Sequence, residues 1–288
     1  PVAYGVNYSD MRLTDINGDV RHFNPGKDSL SFDIRSFQFR EQSGFVLHRL
    51  SGKFSEARTF LKLYDFRAET PHSSMKGRAL TLKFTDYDAF KAGSFVQQVR
   101  MLADLDPSAI DFYDIGFFAP AFQETHQEVT VSGIARGTVS NLKTKKLEIR
   151  FGEGSVIRGE INMEGLPDFR STFILADIRE LSTHAEDLRA FHLPGGKTLR
   201  IPEQVTKLGR ISYTGKYTGF IDDFVAFGKF TTPLGTLSTD LLFRPDTLRT
   251  IDFEGKLRAA DFDLGTLVNA RDNIGRISLS VSVSGVSA

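Results

Sequence analysis

The sequence predicts a mainly β protein: a long, antiparallel, repetitive sheet with a few short helices. The first observation is a period of two between Val129 and Met163, where apolar residues alternate with polar residues or Gly, as in a strand with one apolar face. The second is that turn-forming residues interrupt this alternation at 141–143 and 152–154, which predicts a meander. The third is a short Asp-containing segment that recurs between strand-like stretches.

Composition and charge exclude several classes of protein. The 288 residues include 36 basic and 36 acidic side chains, so no net charge attracts nucleic acid, and we expect no nucleic-acid partner. The absence of Cys rules out disulfides and Cys-based zinc sites. The balance of 26 Phe, 7 Tyr and no Trp suits a dry interior or a hydrocarbon ligand, with a Phe-rich core as the plain alternative.

The first predicted element is a hairpin within residues 11–28, because Asn17-Gly18 is a favoured pair for a tight turn between two apolar runs. A calcium-binding loop is the alternative, since residues from Asp15 to Asp19 have the spacing of its first ligands. Such a loop needs Gly at its sixth position, where the chain has Val20, so the turn is favoured.

Strand-like alternation continues to Phe84, and two departures from the pattern stand out. Between Ile34 and Phe37 the phase slips by one residue, which predicts a bulge or a strand end. From Asp88 to Met101 apolar residues recur at mixed spacings of three and four, which predicts one short amphipathic helix despite an internal Gly.

Four short segments share an Asp, an apolar residue directly after it and another three positions later. We interpret them as helical turns that close the units of an internal repeat, because the last three are spaced by about 75 residues. An Asp near the start of a helix interacts favourably with the helix dipole, so capping is favoured over a catalytic role. Thr183 and Glu186 predict a capping box for the third segment. The four Asp residues are Asp86, Asp114, Asp187 and Asp263.

From Ile211 onward the chain alternates almost without interruption, and no low-complexity linker divides it. We therefore expect one continuous β domain over residues 1–288. The chain begins at Pro1 and has no apolar run long enough for a signal peptide or a membrane helix, so we expect an internal segment of a longer protein.

No sequence motif predicts catalysis or cofactor binding, and we expect neither an enzyme nor a cofactor. The six His residues lack the spacing of a metal site. Residues 195–198 resemble the end of a phosphate-binding loop, but Phe191 stands where its first Gly is required, so a turn between strands is favoured. What remains is a one-faced sheet that must bury its apolar side against a second sheet, by curling over on itself, or around an apolar ligand.

Gly and apolar residues recur in fixed combinations from about Phe45 to the end of the chain. The combinations include Ser132-Gly133, Arg136-Gly137, Leu142, Leu147, Gly159-Glu160-Ile161, Gly165-Leu166-Pro167-Asp168, Leu208-Gly209, 213–219, Leu234-Gly235, Gly255 and 262–265. This pattern resembles the TamB branch of the AsmA-like periplasmic proteins. It involves no catalytic signature.

The resemblance implies a sheet curled into an open trough, or β-taco, with an apolar inner face. It implies passive conduction of phospholipid between the inner and outer membranes of a Gram-negative cell, or support for outer-membrane protein assembly. The implied partners are phospholipid acyl chains and an outer-membrane barrel of the Omp85 type, which other parts of the protein would contact. The implied location is the periplasm, with the full-length protein anchored in the inner membrane.

The residues that we expect to line this groove are apolar residues at alternate strand positions. The alternative function is a closed β-sandwich or solenoid that acts as a scaffold or adhesin without a lipid path, in which the same residues form an ordinary core. The groove candidates are Val129, Val131, Leu147, Ile149, Phe151, Ile157, Ile161, Met163, Phe253, Leu257, Ile277, Leu279, Val281 and Val283.

Overall fold

The computed structural model describes residues 5–7, 10–91, 93–193, 196–198, 201, 203–221, 223–245 and 251–287. The description is limited to the backbone at residues 197, 241, 243–245, 251–253, 283, 286 and 287.

Strands account for most of the described chain. They are β1 (Leu13–Pro25), β2 (Ser29–Glu41), β3 (Val46–Ala57), β4 (Phe60–Glu69), β5 (Ser74–Lys83), β6 (Arg100–Asp111), β7 (Glu128–Thr138), β8 (Asn141–Phe151), β9 (Ser155–Glu164), β10 (Phe173–Thr183), β11 (His192–Leu193), β12 (Lys197–Thr198), β13 (Ile211–Gly219), β14 (Phe224–Thr232), β15 (Gly235–Pro245), β16 (Ile251–Asp263) and β17 (Arg276–Ser287). Fifteen of them form one antiparallel sheet in chain order, while β11 and β12 form a separate two-stranded sheet. The predicted mainly β fold is confirmed.

The helices are short and lie at the ends of strands. They are α1 (Phe95–Gln98), α2 (Phe112–Gly116), α3 (Ala185–Ala190), α4 (Glu203–Thr206) and α5 (Leu264–Val268), with 3₁₀ turns at Tyr87–Phe90 and Pro120–Phe122. Each spans at most two helical turns, so each covers only a small part of the sheet.

The chain divides into two compact units. Unit 1 comprises residues 1–149, 164–168 and 192–197, and unit 2 comprises residues 150–163, 169–191 and 198–288. The expectation of a single continuous domain stays a prediction.

The predicted hairpin at Asn17-Gly18 is wrong, because both residues lie inside β1. Gly18 pairs with Phe37 of β2, and a Cβ atom at Gly18 would lie 3.1 Å from the Phe37 ring. The turn between β1 and β2 lies further along the chain, where the N–H of Gly26 donates to the carbonyl of Ser29 at 2.7 Å. Pairing with β2 thus outweighs the turn preference of the Asn-Gly pair.

The predicted phase slip between Ile34 and Phe37 is confirmed, because the register of β2 against β3 shifts between these two residues. A bulge of this kind keeps Ile34 and Phe37 on the same face of the sheet although they are three positions apart in the chain.

The predicted helix over residues 88–101 is wrong in extent. The segment forms the 3₁₀ turn at Tyr87–Phe90 and then α1, and β6 begins at Arg100. Between the two turns Lys91 is extended and Gly93 has a φ of +82°, so the helix cannot continue. The segment still buries apolar side chains, because Ala89 of the 3₁₀ turn and Val99, which follows α1, pack with Phe84 in the core of unit 1.

Of the predicted turns, the one at 152–154 is confirmed and the one at 141–143 is wrong by two residues. The β7–β8 turn lies at residues 139–140, where the N–H of Asn141 donates to Thr138 Oγ1 at 3.1 Å. Close to the proposed turn at 195–198, the N–H of Gly196 donates to the carbonyl of Leu193. Gly195 itself lies outside the described residues.

Unit 2 places a buried aromatic ring over glycines of the sheet. Gly215 of β13 pairs with Gly228 of β14, and the ring of Tyr213 occupies the space where their side chains would be. The Tyr213 hydroxyl donates to the Phe227 carbonyl at 3.3 Å. Burial raises the pKa of Tyr213, so the phenol stays neutral at neutral pH.

Candidate functional site

In unit 2 the apolar side chains form continuous rows across the sheet. One row crosses six strands, and each member is the direct cross-strand partner of the next. Direct partners on one face have Cβ atoms about 5 Å apart, so the row is an unbroken apolar track perpendicular to the strands. Its members are Leu181, Tyr213, Phe230, Leu237, Ala259 and Leu279.

Unit 1 has an equivalent row. The rings of Phe32 and Phe54 lie 4.9 Å apart at its start. It crosses β2 to β7 through direct partners, and its members are Phe32, Phe54, Leu63, Leu80, Ala103 and Ala135. The same arrangement thus occurs in both units.

The apolar face is buried or half-buried on the inner strands and exposed on the first and last strands of the sheet. In unit 2, Tyr213 and Ala259 are 8% and 7% exposed, whereas Leu279 and Val281 of β17 are 37% and 39% exposed. In unit 1, Phe23 of β1 stacks on Phe32 and is 62% exposed. Exposed apolar side chains in a continuous patch are typical of a surface that binds an apolar ligand or partner.

The groove candidates from the sequence fall into different environments. Val129 and Phe151 are buried, and the Phe151 ring contacts that of Phe191 edge-to-face at 4.9 Å. Protein atoms therefore cover both side chains. Leu279 and Val281 are exposed, while the side chains of Phe253 and Val283 lie outside the described residues. The half-buried candidates are Val131, Leu147, Ile149, Ile157, Ile161, Met163, Leu257 and Ile277.

Sequence reasoning did not include several residues of the two rows among the groove candidates. All of them lie in stretches that were predicted as strands from their alternation: Leu63 and Leu80 before Phe84, and Tyr213, Phe230 and Leu237 after Ile211. The missing information was the register between strands, because periodicity within one strand does not say which residue lies opposite which.

The four Asp segments all coincide with helical turns, but their carboxylates have two roles. Asp86 accepts a hydrogen bond from the N–H of Asp88 at 2.9 Å, and Asp263 accepts one from the N–H of Thr266 at 2.9 Å. Capping is therefore confirmed for Asp86 and Asp263.

Asp114 and Asp187 lie in the first turns of α2 and α3, as predicted for an interaction with the helix dipole, but neither is the N-cap residue. Both instead fasten their helices to the turn of an earlier hairpin. Asp114 accepts hydrogen bonds of 2.5 Å from the hydroxyls of Thr70 and Ser73, in the β4–β5 turn. Asp187 accepts hydrogen bonds from the backbone N–H groups of Glu153 and Gly154 in the β8–β9 turn, at 3.0 and 3.2 Å. It accepts a third from the hydroxyl of Ser155, the first residue of β9.

The predicted capping box at the start of α3 is also wrong. The residue that precedes α3 is His184, whose side chain makes no capping bond. The hydroxyl of Thr183 instead lies 2.7 Å from that of Ser155, so it takes part in the contact between the helix and the hairpin turn.

Asp187 and Glu41 are buried carboxylates with a lowered pKa, so both are ionised at neutral pH. Burial raises the pKa of Asp187, but hydrogen bonds from Ser155 and from two backbone N–H groups outweigh it and lower the pKa overall. Burial likewise raises the pKa of Glu41, and bonds from the hydroxyl and N–H of Ser43 lower it overall. Both carboxylates thus organise turns.

The described residues provide little for other chemistry. Within them, no group of three or more His, Asp or Glu side chains is placed to hold a metal ion. Tyr113 stacks on His126 with ring centroids 4.6 Å apart, and the His72 ring makes a T-shaped contact with each of these two rings.

None of the described helices is long and apolar enough to cross a membrane.

Comparison with known proteins identifies no relative. No family model, curated protein or solved structure matches the chain.

Proposed function

We propose that this chain is a segment of a periplasmic bridge of the AsmA-like type, which conducts phospholipid between two membranes along the apolar face of its sheet. The observation that carries the proposal is the pair of apolar rows, each continuous over six strands. Contacts with an outer-membrane barrel of the Omp85 type, and with the inner membrane, would belong to other parts of the protein.

The physical argument concerns the cost of moving an acyl chain through water. Each CH₂ group transferred into water costs about 0.8 kcal/mol, so a free lipid faces a large barrier. Neighbouring strands lie about 4.8 Å apart. Half-buried neighbours in a row, such as Phe230 and Leu237, therefore offer an acyl chain a new apolar contact at each strand, and the chain could advance without losing its apolar surroundings.

A scaffold without a lipid path is the second candidate, and one observation favours it. Val129 is 4% exposed and Phe151 is 7% exposed, so at these positions the apolar side chains serve as core. If all of the face were covered in the same way, the sheet would only provide length and rigidity.

Site-specific photocrosslinking in cells tests the proposal. A photoreactive residue is placed at Leu257 or at Val281, which are direct partners on the apolar face, and attached phospholipid is detected. Ser280 is the matched control, because it is exposed, adjoins Val281 in the chain and points to the opposite face. We expect lipid adducts at both apolar positions and none at Ser280.

Absence of adducts at Leu257 and Val281, in a protein that folds and is exported normally, would reject the lipid path in favour of the scaffold. Adducts at Ser280 as well would indicate non-specific contact with membrane and would also contradict the proposal.

A further inference from the structure

A groove with a strongly cationic lining lies on the face of the unit 1 sheet opposite the apolar row. It has a volume of about 690 Å³ and crosses the ends of β5, β6, β7 and β8. Four exposed basic side chains line it: Lys83, Arg100, Arg136 and Lys143. The lining includes no acidic residue.

The register places these charges close together. Lys83 is the direct cross-strand partner of Arg100. Arg136 is the partner of Leu102, which lies two residues from Arg100 on the same face of β6. Like charges directly opposite each other destabilise a sheet. The chain thus carries an unfavourable pair at this position that a bound anion would relieve.

No carboxylate of the described residues forms an ion pair with any of the four basic side chains. Their charges are therefore available to a ligand. The groove also contains neutral groups able to donate hydrogen bonds, Thr138, Asn141 and Gln97. Asn141 makes one such bond, to Glu164 at 2.6 Å.

We propose that this groove binds the phosphate group of an anionic phospholipid headgroup. Two guanidinium groups flanked by two ammonium groups suit phosphate, because Arg binds its oxygens through two parallel hydrogen bonds. Leu102 is 45% exposed between the basic residues and provides an apolar contact for the part of the lipid next to the phosphate. The choice of a lipid over other phosphates rests on the proposed function, whereas the anion site does not.

Unit 2 provides an internal comparison. A groove of about 620 Å³ on its polar face is also lined by four basic residues, but Asp177 and Asp240 line it as well. The basic residues are Lys216, Lys229, Lys256 and Arg258. Mixed charge of this kind does not favour an anion to the same degree. The two grooves therefore allow a matched pair of variants with the same loss of charge.

Equilibrium binding of short-chain lipids to the whole chain tests the proposal. The probes are dihexanoyl-phosphatidylglycerol, dihexanoyl-phosphatidylcholine and inorganic phosphate, at concentrations below micelle formation. We expect phosphatidylglycerol to bind more tightly than the other two. The double variant Arg100→Gln and Arg136→Gln should weaken that binding by more than about tenfold, as expected for losing hydrogen bonds to charged groups. The control variant, Lys216→Gln with Lys229→Gln, should bind as the wild type does.

Three results would overturn the inference. Equal affinity for the two lipids would show that headgroup charge is not recognised, and unchanged affinity in the Arg double variant would place the site elsewhere. Equally tight binding of inorganic phosphate would replace the lipid as ligand. Because the groove lies on the face opposite the apolar rows, failure of photocrosslinking at Val281 would leave a positive binding result intact, and the two proposals fail separately.

Discussion

The hydroxyl of Ser155 donates a hydrogen bond of 2.6 Å to the carboxylate of Asp187, and this bond joins α3 to the start of β9. Asp187 is buried and also accepts from two backbone N–H groups of the hairpin turn. We predict that Asp187→Ala lowers the free energy of unfolding by about 2 kcal/mol, because several buried donors lose their acceptor. Urea unfolding followed by circular dichroism measures it, and a loss no larger than that of the exposed control Asp88→Ala would contradict it.

The same carboxylate should make stability depend on pH. Its pKa is lower in the folded protein than in the unfolded chain, so its contribution is present above the unfolded pKa of about 4 and is lost as the pH falls through the folded pKa. We therefore predict that the difference in unfolding free energy between wild type and Asp187→Asn shrinks from about pH 6 to about pH 3. Unfolding curves at the two pH values test this. A difference that stays constant would show that Asp187 is not ionised in the fold.

In unit 1 the corresponding prediction concerns Asp114. Asp114→Ala removes the acceptor of the Thr70 and Ser73 hydroxyls, and we expect a loss of about 1–3 kcal/mol in the free energy of unfolding. The double variant Asp114→Ala with Ser73→Ala should cost less than the sum of the two single variants, because the residues share one bond. Additive losses in a double-mutant cycle would disprove the coupling.

The close packing of the Tyr213 ring against Gly228 can be tested by substitution. A Cβ atom at Gly228 would overlap the Tyr213 ring and lie 2.6 Å from the Thr214 carbonyl oxygen, so we expect Gly228→Ala to cost about 1–3 kcal/mol. In a Tyr213→Ala background the cost should fall, although the backbone contact remains. The matched control is Gly275→Ala, where no atom lies within 4 Å of the added group, and an equal loss there would reject the packing argument.

Two Phe residues with opposite exposure provide a further test. Phe84 is 6% exposed and packs with Ala89 and Val99, so Phe84→Ala should cost about 3–5 kcal/mol. Phe227 is 60% exposed on the polar face of unit 2, and Phe227→Ala should change stability by no more than about 0.5 kcal/mol. Thermal unfolding of both variants checks the contrast. A loss at Phe227 as large as that at Phe84 would contradict the prediction.

The sequence was sufficient to predict the strands because a one-faced strand has a period that no other element shares. It also located the bulge between Ile34 and Phe37, since a phase slip is visible within a single strand. The hairpin at Asn17-Gly18 could not be excluded in the same way. Local turn preference competed with pairing to Phe37, a residue on another strand, and the pairing was decisive.

The candidate site was predictable in kind but not in position. Alternation identified apolar residues such as Phe151 and Val281, but it could not tell that Phe191 covers the first while the second is exposed. The roles of Asp114 and Asp187 were missed for the same reason. Their partners lie more than thirty residues earlier, and only the register of the intervening strands brings them together.

The strand order has a consequence for how the chain is made. Almost every strand of the large sheet pairs with the strand that precedes it in the chain, so a polypeptide emerging gradually from a ribosome or a translocon meets a partner that already exists. Synthesis from the amino terminus can then extend the sheet without waiting for distant sequence. The exception is β13, which must reach back to β10 past α3, β11, β12 and α4. We expect growth of the nascent sheet to pause at this step.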